Sequence, residues 1–238
     1  MRYAFSRREL QFLNKNIFNN GLHGIPKPLT PFVTMKQRLI NNNIISLNDN
    51  KELQIESVYK SLFDDWCKMD HIIEFKNEEY DLDIVLYNDT HIITIEENGF
   101  LCEIGYFLNE PVGLRNYILD KLNMPWQMRF DENSQFSIVL NSSDAQQLFA
   151  QDDAMLSKLS FKNHISKSVL KDLVIKTSTN KNTRSLYIKN LKDALSLDIV
   201  ININELGHCL RQSSNVAGQV QYVVSVCDSK KFIELIMT

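Results

Sequence analysis

The stretch HIIEFKNEEYDLDIVLYNDTHIITIEENGFLCEIGYFL, residues 71–108, decides the fold. Apolar residues recur there every second position, the period of a half-buried strand. Four strands are predicted: Ile72–Phe75, Tyr80–Tyr87, Thr90–Glu97 and Gly99–Leu108. Asn77-Glu78-Glu79, Asn88-Asp89 and Asn98-Gly99 separate them. Asn-Gly is among the strongest short hairpin signals, because a type I′ turn needs positive φ at both central positions. The reading is an antiparallel meander of four strands.

On the N-terminal side the pattern is helical. Ser6-Arg7-Arg8-Glu9 is a capping box, and Leu10 and Leu13 follow on one face. Gly21, Gly24, Pro26, Pro28 and Pro31 then make a stiff extended loop. Its apolar members Leu22, Ile25, Leu29 and Phe32 place it on the body of the protein. A second helix starts after Thr34 as N-cap and ends at Asn41-Asn42-Asn43. Ile44 to Leu47 leads into the turn Asn48-Asp49-Asn50. A third helix is predicted from Glu52 to Met69, because Leu53, Ile55, Val58, Tyr59, Leu62, Phe63 and Trp66 fit the 3.6 period.

Beyond the meander, Pro111 opens a helix that Leu114, Ile118 and Leu122 continue and Pro125 stops. Phe136–Leu140 reads as a strand. Ser142 or Ser143 caps a helix from Asp144 to Ala154, and Met155 to Lys176 continues helical. Thr177 to Thr183 is a loop, and Leu186–Asn190 and Leu197–Ile203 are strands. Asn204 to Ser214 reads as a short helix or loop. Val220–Cys227 and Phe232–Met237 read as a closing hairpin about Asp228-Ser229. The expected class is α+β, with two pseudo-equivalent halves, each an antiparallel meander packed with helices. The halves are residues 1–125 and 126–238, forming one compact unit. The pattern repeats between them and the sequence does not.

Composition narrows the function. The 238 residues are 44% hydrophobic and 23% charged, enough for a substantial core. A net charge of −3 supplies no basic field for phosphate. Residues 34–69 resemble a helix–turn–helix pair, yet Glu52, Glu56, Asp64 and Asp65 would repel a nucleic-acid backbone. No leader pattern follows Arg2, Arg7 and Arg8, and no apolar run is long enough to span a bilayer, so a cytoplasmic protein without stable membrane insertion is expected. The four cysteines, Cys67, Cys102, Cys209 and Cys227, form no C-x-x-C pair and read as buried free thiols.

Chemistry is hard to find. The seven glycines are scattered, so no phosphate loop forms, and G-x-S-x-G is absent. Cys67 with His71, and His208 with Cys209, lack the further ligands zinc prefers. Asp64-Asp65, Glu78-Glu79, Glu96-Glu97 and Asp152-Asp153 are adjacent pairs, which point apart and read as solvated or capping. The basic residues from Lys158 to Lys181 and Arg184, interrupted by Asp172, read as the wet face of an amphipathic helix rather than as a weak basic surface. No catalytic residue, cofactor or metal is expected, and the reading is a non-enzyme.

The order of the N-terminal features is informative in another way. Glu9-Leu10-Gln11-Phe12-Leu13 comes first, then Ile25-Pro26-Lys27-Pro28-Leu29. Lys36-Gln37-Arg38-Leu39-Ile40, Asn43-Ile44-Ile45-Ser46, a long helix from Leu53 and the meander follow. Over residues 3–122 this order resembles the opening of the EspG/EsaE-type proteins of bacterial type VII (Esx) secretion systems. The resemblance implies a cytosolic adaptor or chaperone that holds a secreted helical-hairpin protein or toxin before export. EspG members of that family bind PE–PPE pairs, and this chain looks closer to the EsaE-like branch. Amphipathic helical clients suit a groove with apolar anchors. Candidate partner-binding residues are Asn77, Glu78, Glu79 and Tyr80 in the meander, and Phe149, Met155, Leu156 and Phe161 in the helical region, the last four of which could equally be core because apolar helical stripes normally face inward. The competing reading is an immunity-type toxin-binding protein or a phage or structural assembly subunit. The oligomeric state stays open.

Overall fold

Two units make up the chain, Met1–Glu110 and Pro111–Thr238. A division between Glu110 and Pro111 places the helix after the meander with the second unit, whereas a break at 125 keeps it with the first. The computed structural model describes residues 1–28, 30–76, 82–122, 136–178, 184–192, 199–203, 208–214, 219–226, 228, 230, 232 and 233.

The first unit opens with strand β1 (Arg2–Phe5) and helix α1 (Arg7–Asn16). Ser6 and Glu9 form the full capping box, with Ser6 N–H donating to Glu9 Oε2 at 2.7 Å. Helix α2 is Met35–Asn41, and a small hairpin joins β2 (Ile45–Leu47) to β3 (Leu53–Ile55). Helix α3 runs Ser57–Trp66. The meander is β4 (His71–Lys76), β5 (Leu82–Tyr87), β6 (His91–Asn98) and β7 (Leu101–Leu108). All neighbours are antiparallel, in the order β1-β7-β6-β5-β4.

Several expectations change here. The third helix begins at Ser57, not Glu52, because Leu53–Ile55 pairs with Ile45–Leu47. Leu53 and Ile55 satisfy both periods, and the cross-strand partner decides between them. Thr34 precedes α2 as predicted but makes no side-chain cap; its hydroxyl donates to Val33 O at 2.6 Å. The β6–β7 turn centres on Gly99-Phe100, since Asn98 pairs with Leu101. Only Gly99 has positive φ, at 64°, so the type I′ expectation fails and the turn has the φ signs of type II′.

The register puts Ile72, Ile84, Leu86, Ile93, Ile95, Ile104 and Cys102 on one face, and all are buried. Phe5, Phe63 and Trp66 are fully buried nearby in the fold, with Phe5 and Phe63 edge-on at 5.6 Å. The proline loop is pinned on the body as expected. Asn14 takes Leu22 N–H at 2.8 Å and donates to Leu22 O. Trp66 Nε1 donates to His23 O at 3.0 Å, and Gln11 to Pro26 O. These bonds satisfy backbone groups that no sheet or helix serves.

The second unit begins with α4 (Pro111–Lys121), then β8 (Phe136–Asn141), α5 (Ser142–Phe149), α6 (Asp153–Asn163) and α7 (Lys167–Ser178). Strands β9 (Arg184–Asn190), β10 (Ile199–Ile203), β11 (His208–Ser214) and β12 (Val220–Val226) follow, in the antiparallel order β9-β10-β11-β12-β8. After α4 the second unit repeats the run of strand, helices and four-stranded meander seen in the first, where the small β2–β3 hairpin is added, and in both the opening strand lies beside the last. This is the predicted α+β class with its repeated pattern.

Here too the details differ. Asn141, not Ser142 or Ser143, caps α5, taking Asp144 N–H at 2.8 Å. The second long helix is broken at His164, which sits at φ 54°. Residues 208–214 form a strand rather than a helix or loop. The closing hairpin is not formed as read: Phe232 and Ile233 are helical, and Phe232 N–H bonds Asp228 O at 2.9 Å. Residues 234–238 lie outside the described set.

Candidate partner-binding surface

Three helices of the second unit cover one face of its sheet. Ile138, Leu140, Val224 and Val226 from the strands meet Ala145, Leu148, Leu159, Leu170, Leu173 and Val174. Met155 and Leu156 belong to this core, at 2% and 0% exposure. As placed they hold α6 to the sheet, so of the two alternatives the sequence left open they take the core rather than the surface anchor. Phe149 is half-buried, edge-on to Tyr222 at 5.8 Å. Phe161 stands out at 86% exposure. Ala154 and Lys158 share its exposed helix face, two turns and one turn before it, and Lys162 is its exposed neighbour in sequence. Asn77, Glu78, Glu79 and Tyr80 fall outside the described residues.

The lysines around Phe161 do not add up to a basic field. Lys158 lies 3.6 Å from Asp144, and Lys167 and Lys171 lie 3.3 and 3.8 Å from Asp153. All are exposed pairs, so they tune the surface weakly. An open groove of about 760 Å³ lies beside α5, lined by Val139, Asn141, Ser142, Ser213, Gln219 and Gln221 among others. Among the described lining residues Asp144 is the one charged side chain, so the groove mixes apolar and uncharged polar surface.

The first unit carries apolar surface that the sequence reading passed over. Phe100 is 95% exposed at the β6–β7 turn, and Leu101, Phe107 and Leu108 on β7 are exposed too. The signal was present in the turn itself, since an aromatic residue beside Gly99 at a hairpin tip has no core to enter.

Titratable groups behave structurally. Glu97 is buried and takes Arg7 Nε at 2.7 Å, so it is not the solvated member of a carboxylate pair. Asp152 caps α6 through Met155 N–H at 2.8 Å. Cys67 is exposed, which corrects its reading as a buried thiol, whereas Cys102 and Cys209 are buried. The Cys67 sulfur is nonetheless partly covered on the side of Gly21, and that partial burial pushes the thiol up, with Asp64 adding to the rise and Lys68 opposing it. His71 stacks on Tyr87 at 4.8 Å. Among the described residues no three His, Cys, Asp or Glu side chains converge as for a metal. No helix of the described residues is long and apolar enough to cross a membrane.

No protein-family model matches the chain, and no curated protein matches its sequence. Its fold is similar to that of the Mycobacterium tuberculosis type VII secretion system chaperone EspG5, solved in complex with a PE25–PPE41 dimer. The TM-score is 0.56 at 6% identity, covering 99% of this chain and 94% of that one. At that identity the likeness establishes the fold.

Proposed function

We propose that the chain is a non-catalytic cytoplasmic adaptor or chaperone that holds a helical substrate or toxin of a type VII secretion system before export. One observation carries the reading: the fold matches that of a type VII secretion chaperone along nearly the whole of both chains. A match over both units matters, because a shared single unit would be consistent with many unrelated roles.

The surface fits the role. A secreted helical hairpin offers an amphipathic face, and a receptor engages such a face with a few apolar anchors in polar surroundings. Phe161, raised on a helix whose Lys158 and Asp153 pair with residues of the neighbouring helices, is such an anchor. Phe149, half-buried against Tyr222, and residues Asn77, Glu78, Glu79 and Tyr80 are proposed as further contacts. Within this reading the client belongs to an Esx-type system, and the binding is to its helices.

The test is co-expression of the full chain with helical substrates encoded beside it. A stable one-to-one complex that protects the substrate from proteolysis supports the reading. A complex only with a folded toxin domain, inhibiting that toxin, replaces it with an immunity role.

A further inference from the structure

Strand β8 closes one side of the second unit's sheet, and among the described residues no strand pairs with its outer edge. An open edge offers a row of backbone donors and acceptors to any extended chain. Natural edges are blunted by charge, proline or a bulge. The sequence of β8, FSIVLN, has no charge and no proline. Its six residues pair one for one with Gln221–Val226, so it has no bulge either. By contrast, β1 in the first unit is only four residues long and begins with Arg2.

The side chains of β8 match themselves. Ile138 and Leu140 point to the helix-covered face, and Ser137, Val139 and Asn141 point to the other. Val139 is 60% exposed. In an antiparallel pair, directly opposed residues share a face. A second copy centred on Val139 sets Val139 against its own counterpart, Ser137 against Asn141, and Ile138 against Leu140. Each of these three pairings is then apolar with apolar or polar with polar, and Phe136 falls opposite Ser142, past the end of the strand. Sliding the centre to Ile138 sets Val139 against Ser137, and sliding it to Leu140 sets Val139 against Asn141. A slip by one residue exposes the core face. Only the Val139 register buries the exposed valine against another apolar side chain.

We propose that β8 pairs antiparallel with β8 of a second copy, joining two chains about a two-fold axis at Val139. A foreign strand is the weaker occupant, because the edge carries no charge by which to select one, and the match is to its own sequence. The two-fold pair is isologous and closes on itself, so it gives dimers rather than fibres. The inference stands apart from the identity of any client, and a failed client search leaves it intact.

Sedimentation equilibrium on the full chain, with and without Val139→Lys, is the first test. The native chain is expected to be a reversible dimer. Two lysines facing each other at the axis are expected to weaken it by at least ~100-fold, since like charges opposed across an interface cost several kcal/mol. Val139 is exposed, so the fold tolerates the change, and an unaltered thermal melt verifies that. The register is tested in a Cys67→Ser background. Val139→Cys is expected to cross-link to itself on mild oxidation, because opposed Cα atoms at 4.5–5.5 Å lie within disulfide range. Ser137→Cys is expected to stay uncross-linked. A chain monomeric up to about 100 μM, far above the affinity a specific pair requires, overturns the proposal. So does a dimer indifferent to Val139→Lys. A monomer whose client binding is lost in Val139→Lys also overturns it, and assigns the edge to the client.

Discussion

Arg7 donates to Glu97 Oε2 through its Nε at 2.7 Å, joining the first turn of α1 to the end of β6. Glu97 is buried while Arg7 keeps about a third of its side chain exposed. The pair holds the first helix of the unit against the meander. Arg7→Ala leaves a buried carboxylate without its cation, and a loss of about 2 kcal/mol is expected in urea unfolding. Arg7→Lys is expected to recover part of it, since a point charge replaces a planar donor.

Alkaline pH should destabilise the fold, and the sign can be worked out. Burial, then Glu97, pushes the Cys102 thiol from 9.0 up to about 12, with Arg7 opposing. Burial pushes Tyr87 from 10.0 to about 12. Tyr106 rises to about 12 through burial, then through the hydrogen bond it donates to Asp65 and the Asp65 charge. Each group holds its proton in the folded chain where the unfolded chain releases it. Stability is therefore intact below about pH 9 and falls as pH climbs toward 12. Tyr106→Phe should flatten that fall, read as the urea midpoint against pH.

Gly24 sits at φ 80°, and a Cβ there would come within 2.9 Å of Ile84 Cδ1 and 3.2 Å of Ile72 Cδ1. The loop therefore lies directly on the meander. Gly24→Ala combines a left-handed backbone with overpacking, and about 2 kcal/mol of destabilisation is expected. A midpoint unchanged in denaturant would place the loop away from the sheet.

The thiols separate by exposure. Cys67 is expected to react with a disulfide reagent in the folded chain, and Cys102 and Cys209 only on unfolding. Cys67→Ser should remove a reacting class from the native time course. An unchanged time course would contradict the placement of Cys67.

Legibility in the sequence followed from how many constraints acted on each residue. Within 71–108 the strands were readable because alternation, turn residues and length agreed; among the described residues the strand ends and the type of the last turn were not. Leu53 and Ile55 were misread because they also fit the helical stripe of Val58, Tyr59 and Leu62, and only pairing with Ile45–Leu47 decides. Residues 208–214 lack a run of β-branched residues, so β11 owes its conformation to β10 and β12 on either side. The same limit governed the candidate surface. Met155, Leu156 and Phe161 are all apolar residues of α6, and sequence did not tell the two that face the sheet from the one that faces solvent.

That distinction predicts opposite behaviour. Leu156→Ala should cost about 3 kcal/mol by opening a cavity in the second core. Phe161→Glu should change stability by less than about 0.5 kcal/mol, as exposed substitutions do.

The central claim is that the chain holds a helical type VII substrate, and capture from its native host tests it most directly. Tagged full chain and its Phe161→Glu variant are recovered side by side and their partners identified by mass spectrometry. The account predicts a helical Esx-type protein, or a toxin with a helical N-terminal region, bound by the native chain and depleted about tenfold or more with the variant, as for loss of a binding anchor. Recovery of the chain alone, or of a folded toxin domain without such a region, would contradict it.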